Sequence, residues 1–264
     1  MNPTDCYLEN CKAVLERVRQ QSGEIRRAAE IFSRTILQGR MVHLFGSGHS
    51  RIMVEEMWPR YGSFPGFNPI VELSLTYHNN VVGANGQRQA MFIENVPGLA
   101  ARILRNFDLS EEDSALVISS SGTNIVPVEM AEEFRRRGVG NVVALVSTEH
   151  SKASEAKRED GKKLTDFAEI VLDTGAPAGD ASVAIDGVEG NVSPLSTVGG
   201  AVIINALKAE IAQLLAEAGQ PPTVLAASNQ VGGARAAELF EAAYDEHARR
   251  LGQLFSFERD GEEL

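Results

Sequence analysis

Two patterns of apolar residues alternate along this chain. Short apolar runs rich in β-branched residues predict buried strands, whereas segments with an apolar residue at every third or fourth position predict helices. Strands are predicted at residues 41–45, 70–75, 115–118, 142–146 and 169–173, with a short strand or extended piece at 181–185 and at 223–227. Helices are predicted at residues 7–38, 51–61, 97–107, 126–138, 194–216 and 234–254. Because strands that alternate with helices build a parallel sheet covered on both faces, we predict an α/β fold, a three-layer αβα sandwich.

A domain boundary is predicted near residue 40. Residues 1–40 are expected to form an N-terminal helical segment that packs on the core or on a dimer partner, because their apolar stripes need a covering surface. Residues 41–264 are expected to form one domain that ends in C-terminal helices. Within it, the glycines of residues 175–190 predict a long ordered or lid-like loop.

The composition and net charge of the chain exclude some classes of binding partner. The chain has 264 residues and a net charge of −11, and it lacks a basic arm or basic helix face, so we expect neither nucleic acid nor a membrane as a partner. Cys6 and Cys11 are the only cysteines, and their spacing fits no metal or redox motif. No apolar run approaches membrane-spanning length, and the first residues lack a signal-peptide core. We therefore expect a cytoplasmic protein.

The strand predicted at residues 115–118 runs through a polar loop directly into a helix. The loop consists of Ser119, Ser120, Ser121, Gly122, Thr123 and Asn124. At such a junction the free backbone N–H groups and the positive end of the helix dipole attract an anion, and Gly122 lets the backbone approach it closely. One serine or threonine is enough to cap a helix, so four hydroxyls around one glycine favour a phosphate site over a plain cap.

The order of strand, glycine loop and helix also occurs after the first predicted strand. That loop consists of Gly46, Ser47, Gly48, His49 and Ser50. A Gly-x-Gly turn alone is shared by many nucleotide-binding folds, and the dinucleotide pattern lacks its third glycine here, since Arg51 occupies that position. Because ligands of parallel sheets lie beyond the carboxyl ends of the strands, we expect both loops to contact one ligand.

Together these loops resemble those of the SIS (sugar isomerase) domain family, whose phosphate loop has the pattern Ser-x-Ser-Gly. The resemblance covers nearly the whole chain. It implies a flavodoxin-like parallel sheet, a phosphorylated sugar or amino sugar as ligand, no cofactor, and a homodimer or tetramer with sites near subunit contacts. A narrower similarity to a bacterial subgroup of uncharacterised single-SIS-domain proteins, which resemble phosphoheptose isomerases, is carried by residues 44–50, 68–72, 127–130, 161–164, 179–181 and 196–198.

The resemblance also assigns ligand contacts. Ser50, Ser119 and Ser121 match the phosphate and sugar contacts of the family. Asn124 stands where the family usually has a third hydroxyl; its amide can still donate to an oxyanion, and Thr123 is a neighbouring source of a hydroxyl. From the subgroup pattern, Ser196 and Thr197 are added to the predicted binding residues.

The known catalytic residues of the isomerases are not matched. The position of the glutamate that phosphoheptose isomerases carry on the helix after the first loop is occupied by Arg60, and Glu56 lies one turn earlier on the same helix. The late helix that carries their catalytic histidine is apolar at residues 198–204. The resemblance therefore implies a phosphosugar site without the isomerases' catalytic pair.

Other titratable residues are candidates for moving protons. Glu94 falls near an acid–base glutamate of the related muramic-acid phosphate etherases, although a helix-start carboxylate favoured by the dipole is an equal alternative. Glu72 lies in a predicted strand, where burial would raise its pKa; the alternative is a structural carboxylate bonded to loop backbone. His49 in the first loop is an acid or a hydrogen-bond donor, and His78 in a polar loop is a further candidate. Their spacing predicts no metal site.

Three functions remain open at this point. The first is a sugar-phosphate isomerase that transfers a proton through an enediol. The second is an etherase-type lyase acting on an amino-sugar phosphate, and the third is a phosphosugar-sensing module without catalysis.

Overall fold

A computed structural model describes residues 2–76 and 84–255 of the chain. Within those residues, five parallel strands form one sheet in the order β2-β1-β3-β4-β5. The strands are β1 (Val42–Gly46), β2 (Phe67–Ile70), β3 (Ser114–Ile118), β4 (Asn141–Val146) and β5 (Ile170–Asp173). This order is the flavodoxin-like one, and it confirms the predicted α/β fold.

Helices cover both faces of the sheet. The longer ones are α1 (Pro3–Gln20), α2 (Ser22–Leu37), α6 (Ile125–Arg136), α8 (Ser196–Glu217) and α10 (Gly233–Leu254). The shorter ones are α3 (Arg51–Met57), α4 (Gln87–Ile93), α5 (Leu99–Ile103), α7 (Thr148–Ala153) and α9 (Ser228–Val231). Short 3₁₀ turns occur at Gly48–Ser50, Leu73–Leu75, Leu104–Asn106 and Leu164–Phe167.

The sheet separates the buried side chains into a core on each face. Leu116 and Leu145 point to the face covered by α1, α2, α3 and α8, whereas Val117 and Ala144 point to the face covered by α5 and α6. All five residues of β3 are buried, because a central parallel strand is covered on both sides. The three-layer sandwich therefore follows from continuous apolar strands between amphipathic helices.

The second strand was placed incorrectly from the sequence. It covers Phe67–Ile70 and not residues 70–75, so Glu72 lies beyond the strand, where its side chain caps the 3₁₀ turn Leu73–Leu75. Pro69 suggests a turn, but β2 is an edge strand, and an edge strand tolerates proline because one side of its backbone needs no partner.

Several helix ends also differ from the predictions. The helix predicted to reach residue 61 ends at Met57, because Pro59 forces Trp58 into an extended conformation. The helix predicted at residues 97–107 is the short helix α5 followed by a 3₁₀ turn. The apolar pattern at residues 91–96 belongs in part to helix α4.

The region after β5 contains additional β-structure. Ala181–Val183 (β6) and Val192–Pro194 (β7) pair as an antiparallel ribbon, so the predicted loop of residues 175–190 contributes to a hairpin. The extended piece at residues 223–227 forms no strand; Leu225 exchanges backbone hydrogen bonds with Gly62 and Ser63.

Helix α8 is long and apolar enough, by length and composition, to cross a membrane, contrary to the expectation from the sequence. In the structure it packs against α1, α2 and α3, and Ile203, Ile204, Leu207 and Ile211 are fully buried. These contacts make it a core helix of the sandwich.

Candidate functional site

The carboxyl edge of the sheet carries a cleft of about 500 Å³. It lies beyond β1 and β3, which are neighbours although a crossover to β2 separates them in sequence. Such a reversal of strand order leaves a crevice between the loops, and ligands of doubly wound folds bind there. Both predicted loops meet at this point.

The loop after β1 lines one wall of the cleft with Ser47, His49 and Ser50. Gly46 makes this turn possible, because a Cβ atom there would lie 2.8 Å from the carbonyl carbon and oxygen of Ser50. Gly46 and Gly48 do not line the cleft themselves. Their role is to bring the serines and the histidine to its edge.

The loop after β3 forms the floor with Ser119, Ser120, Ser121 and Asn124. Internal bonds hold it in place: the backbone N–H of Gly122 donates to Ser119 Oγ at 3.2 Å, and the Thr123 hydroxyl donates to Ser121 Oγ at 3.0 Å. Gly122 has φ +63°, a left-handed conformation that glycine adopts without strain. Gly122 and Thr123 therefore shape the loop, and Thr123 faces an adjoining groove instead of the cleft.

Glu94 is a buried carboxylate between the two loops. Its side chain accepts hydrogen bonds from Ser47 Oγ and from Asn124 Nδ2, both at 2.8 Å. It follows the C-terminal end of α4, so the alternative of an exposed helix-start carboxylate is wrong; only 4% of the residue is exposed. Burial raises its pKa, and the Ser47 hydrogen bond and the Lys157 charge oppose that rise.

Lys157 and His150 also line the cleft, and the sequence did not identify them. Lys157 Nζ donates to Asn124 Oδ1, and His150 Nδ1 lies 3.4 Å from Ser120 Oγ. The charged segment at residues 150–163 is typical of a solvated loop, although its lysines and arginine could also attract a phosphate. Its position directly after β4 was the available signal, because the carboxyl end of β4 lies beside that of β3.

The wall opposite is formed by the hairpin and by the start of α8. The predicted binding residues Ser196 and Thr197 line it, together with Asp180. Asp180 accepts hydrogen bonds from Ser196 N and Ser196 Oγ, both at 2.7 Å, and so fixes the first turn of α8. Asp180 lies in the Gly-Asp-Ala segment at residues 179–181.

Other predicted site residues lie away from the cleft. Glu72 Oε1 accepts from Ser74 Oγ at 3.0 Å, which gives it a capping role. Glu56 pairs with Arg60 at 2.7 Å, and neither belongs to the cleft lining. The reason is that α3 ends before residue 60 and Arg60 is exposed. His78 lies outside the described residues.

The polar groups of the cleft suit an oxyanion and a proton transfer. In the part of the chain that the structure describes, no group of three or more histidine, cysteine, aspartate or glutamate side chains is placed to hold a metal ion. The hydroxyls, the helix α6 N-terminus and Lys157 are anion donors, and Glu94 is a titratable group beside them.

A doubly wound sheet with a cleft lined by serine hydroxyls at its switch point defines the general class of this protein. A family model described as SIS domain matches residues 6–147, more than half of the chain. A UPF0309 protein of Halalkalibacterium halodurans is 33% identical over 87% of this chain and 93% of its own length. A UPF0309 protein of Brucella anthropi is 33% identical over 85% of this chain and 89% of its own length. The chain belongs to the SIS domain family.

Two solved structures are similar to this chain. The Vibrio vulnificus NanR protein, solved in complex with ManNAc-6P, aligns with a TM-score of 0.50 and 14% identity over 92% of this chain and 69% of that one. A phosphoheptose isomerase from Francisella tularensis aligns with a TM-score of 0.49 and 16% identity over 81% of this chain and 100% of that one.

Proposed function

We propose that this protein binds a phosphorylated sugar in the cleft and isomerises it by proton transfer through an enediol, with Glu94 as the base. One observation carries the proposal: the buried Glu94 carboxylate is held between a serine of the first loop and the asparagine of the phosphate loop. A carboxylate with a raised pKa beside an anion site is suited to removing a proton from a bound phosphorylated ligand.

The phosphate binds at residues 119–124 and at Ser50. Backbone N–H groups at the start of α6 and the loop hydroxyls donate to its oxygens, and Lys157 supplies a positive charge. This end of the ligand fixes its orientation, so that the carbonyl end lies beside Glu94 and His49.

Isomerisation then needs no net change of atoms. Glu94 removes the proton from the carbon next to the carbonyl while His49 donates a proton to the carbonyl oxygen, which yields the enediol. Glu94 returns its proton to the former carbonyl carbon, and the other hydroxyl gives its proton back to His49. A proton held on Glu94 exchanges with solvent, so the reaction leaves an isotopic trace.

The test is incubation of the purified protein with a panel of aldose, ketose and amino-sugar phosphates in deuterated water. We expect deuterium at the carbon next to the carbonyl of at least one compound, and inhibition by inorganic phosphate. The corresponding sugars without phosphate serve as controls and should not exchange. Absence of both exchange and turnover across the panel would rule out the isomerase.

A second candidate is a sensing module that binds a phosphosugar without turnover. It is favoured by the loss of the isomerases' catalytic positions, since Arg60 is exposed and residues 198–204 are apolar. The NanR protein named above was solved with a phosphosugar bound. Stabilisation of the fold by a sugar phosphate, without deuterium exchange, would favour this candidate.

The same panel of sugar phosphates also distinguishes the isomerase from an etherase-type lyase. Muramic-acid 6-phosphate belongs in it, because cleavage of its ether would release lactate. Lactate release would replace the isomerase with the lyase while leaving Glu94 as the acid–base residue.

The proposal also covers the cellular location and the oligomeric state of the protein. We propose a cytoplasmic protein, in which Cys6 and Cys11 remain reduced, and a homodimer or tetramer, as the family resemblance implies. Light scattering on the purified protein measures the assembly.

A further inference from the structure

Asn124 occupies a capping position but does not cap its helix. It precedes α6 with an extended conformation, φ −65° and ψ 142°, yet its side chain makes no bond to the helix backbone. An asparagine at this position ordinarily accepts a hydrogen bond from the first turn. Here the amide joins two side chains instead: Nδ2 donates to Glu94 Oε1 at 2.8 Å, and Oδ1 accepts from Lys157 Nζ.

The hydrogen-bonding chemistry of Glu94 and Lys157 determines which of them bonds to the oxygen of the Asn124 amide and which to its nitrogen. A lysine ammonium can only donate, so it bonds to the amide oxygen. The amide nitrogen must then point to Glu94, and it too can only donate. Because Ser47 also donates to Glu94, both carboxylate oxygens receive hydrogen bonds, an arrangement that stabilises the ionised form.

Lys157 is held at the wall of the cleft by its neighbours in sequence. Arg158 pairs with Glu132 at 2.6 Å, and Lys163 Nζ donates to the carbonyl oxygens of Ser151 and Ser154 at 2.6 and 2.7 Å. These bonds anchor the segment on both sides of Lys157. Among the described residues that line the cleft, Lys157 is the only lysine or arginine.

We propose that Lys157 is a positioning residue: by binding the oxygen of the Asn124 amide, it turns the amide nitrogen toward Glu94 and keeps that carboxylate ionised as a base. That Glu94 acts as a base rests on the proposed function, whereas the effect of Lys157 on the ionisation of Glu94 does not. Burial favours the protonated carboxyl group, and Lys157 opposes it through Asn124 as well as through its charge.

Other titratable groups face the same cleft from the elements around Glu94. They are His49 in the first loop, His150 on α7 and Asp180 beside the hairpin. The substitution that tests Lys157 leaves all three in place. Its effect on Glu94 can therefore be compared with the wild-type titration under the same conditions.

The experiment is a carboxyl ¹³C NMR titration of the glutamate-labelled protein, with the Glu94 signal assigned by its loss in Glu94→Gln. We expect Lys157→Met to move the midpoint of Glu94 upward by about half a unit or more, and Lys157→Arg to restore most of the shift. Lys152→Met, an exposed lysine of the same region, is the matched control and should leave the midpoint unchanged. An unchanged midpoint in Lys157→Met would overturn the proposal.

A second pair of variants tests the path through Asn124. In an Asn124→Ala background, Lys157→Met should move the midpoint by clearly less than it does in the wild type, because the amide is gone. Equal shifts in both backgrounds would mean that the lysine acts by charge alone, and would overturn the positioning role. No ligand or turnover enters either measurement, so a failed exchange assay would leave this result standing.

Discussion

Two buried carboxylates, Asp113 and Glu94, lie at opposite edges of the same sheet and differ in what surrounds them. Asp113 directly precedes β3 at the amino edge and is 1% exposed, and Glu94 is 4% exposed at the carboxyl edge. Burial alone raises the pKa of any carboxyl group. The pKa of Glu94 is indeed raised, whereas that of Asp113 is lowered to about 2.

The difference lies in the partners. Arg40 bonds to Asp113 through Nη2 at 2.6 Å and through Nε at 3.0 Å, Ser110 N donates at 2.9 Å, and His43 Nε2 lies 3.6 Å away. Burial raises the pKa of Asp113, but these partners lower it by more. Glu94 accepts hydrogen bonds only from neutral donors, and the cation Lys157 bonds to Asn124, so it acts on Glu94 through that amide and by its charge at a distance.

The comparison distinguishes Asp113, a carboxylate that stabilises the fold through an ion pair, from Glu94, a carboxylate that is suited to accept a proton. A buried charge that is directly paired is ionised at any ordinary pH and cannot change its state in a reaction. A buried carboxylate with only neutral direct donors has a raised pKa, so its protonation state can change more readily than that of a directly paired carboxylate, which is the property that proton transfer needs. The following predictions test this distinction, from the largest expected effect to the smallest.

Glu94→Gln should lower the rate of deuterium exchange into the sugar phosphate by about 100- to 10,000-fold, the range for loss of a general base. The amide keeps the size of the side chain, so phosphosugar binding should change little. Glu16→Gln, an exposed position on α1, is the matched control and should retain full exchange. Exchange at the wild-type rate in Glu94→Gln would contradict the assignment of the base.

Asp113→Asn should instead lower the free energy of unfolding by about 3–5 kcal/mol, because it leaves Arg40 half-buried without its charged partner. Urea denaturation measures this change. Asp108→Asn is the control: this half-buried neighbour accepts a hydrogen bond from Arg40 through its backbone oxygen, at 2.9 Å, and its side chain makes no hydrogen bond to Arg40. A loss below about 1 kcal/mol in Asp113→Asn would show that Asp113 is not a structural ion pair.

The pH dependence of stability should carry the signature of Asp113. Its folded pKa of about 2 lies below the unfolded value of 3.8, so its contribution is fully present above pH 3.8 and is lost as the pH falls toward 2. The size is about 2 kcal/mol. Denaturation curves between pH 5 and 2 should show this loss in the wild type and not in Asp113→Asn.

Glu94 should show the opposite sign. Its folded pKa is raised above the unfolded value of 4.5, so the ionised group lowers stability most at pH values above the folded pKa, and the penalty is lost as the pH falls from there to the unfolded value. Glu94→Gln should therefore be more stable than the wild type at pH 7 by about 0.5 kcal/mol, a small gain of the kind seen when a functional group is removed. A lower melting temperature for Glu94→Gln at pH 7 would contradict this prediction.

The fold and the position of the polar loop after β3 could be predicted from the sequence because both depend on local pattern. Continuous apolar runs specify buried parallel strands, and the hydroxyls after residue 118 directly indicate an anion site. Edge strand β2 was shifted because its proline breaks the apolar pattern that the central strands keep. Sequence patterns therefore predicted those strands and loops that are formed by residues adjacent in sequence.

The chemical part of the site depends on contacts between distant segments. Glu94 becomes buried through Ser47 and Asn124, which lie 47 and 30 residues away in sequence. The position of Lys157 after β4 indicates the carboxyl edge of the sheet, but no local pattern shows that β4 lies beside β3, which brings Lys157 to the cleft. Glu72 failed as a candidate for the related reason that its expected burial followed from a strand it does not belong to.

The most direct test of the central claim is a crystal structure of Glu94→Gln with a sugar phosphate from the panel bound. We predict the phosphate on residues 119–124 and Ser50, and the carbon next to the carbonyl within reach of the residue 94 amide. A phosphate bound elsewhere, or a carbonyl end turned away from residue 94 toward the hairpin, would contradict the assignment of Glu94 as the base of a phosphosugar isomerase.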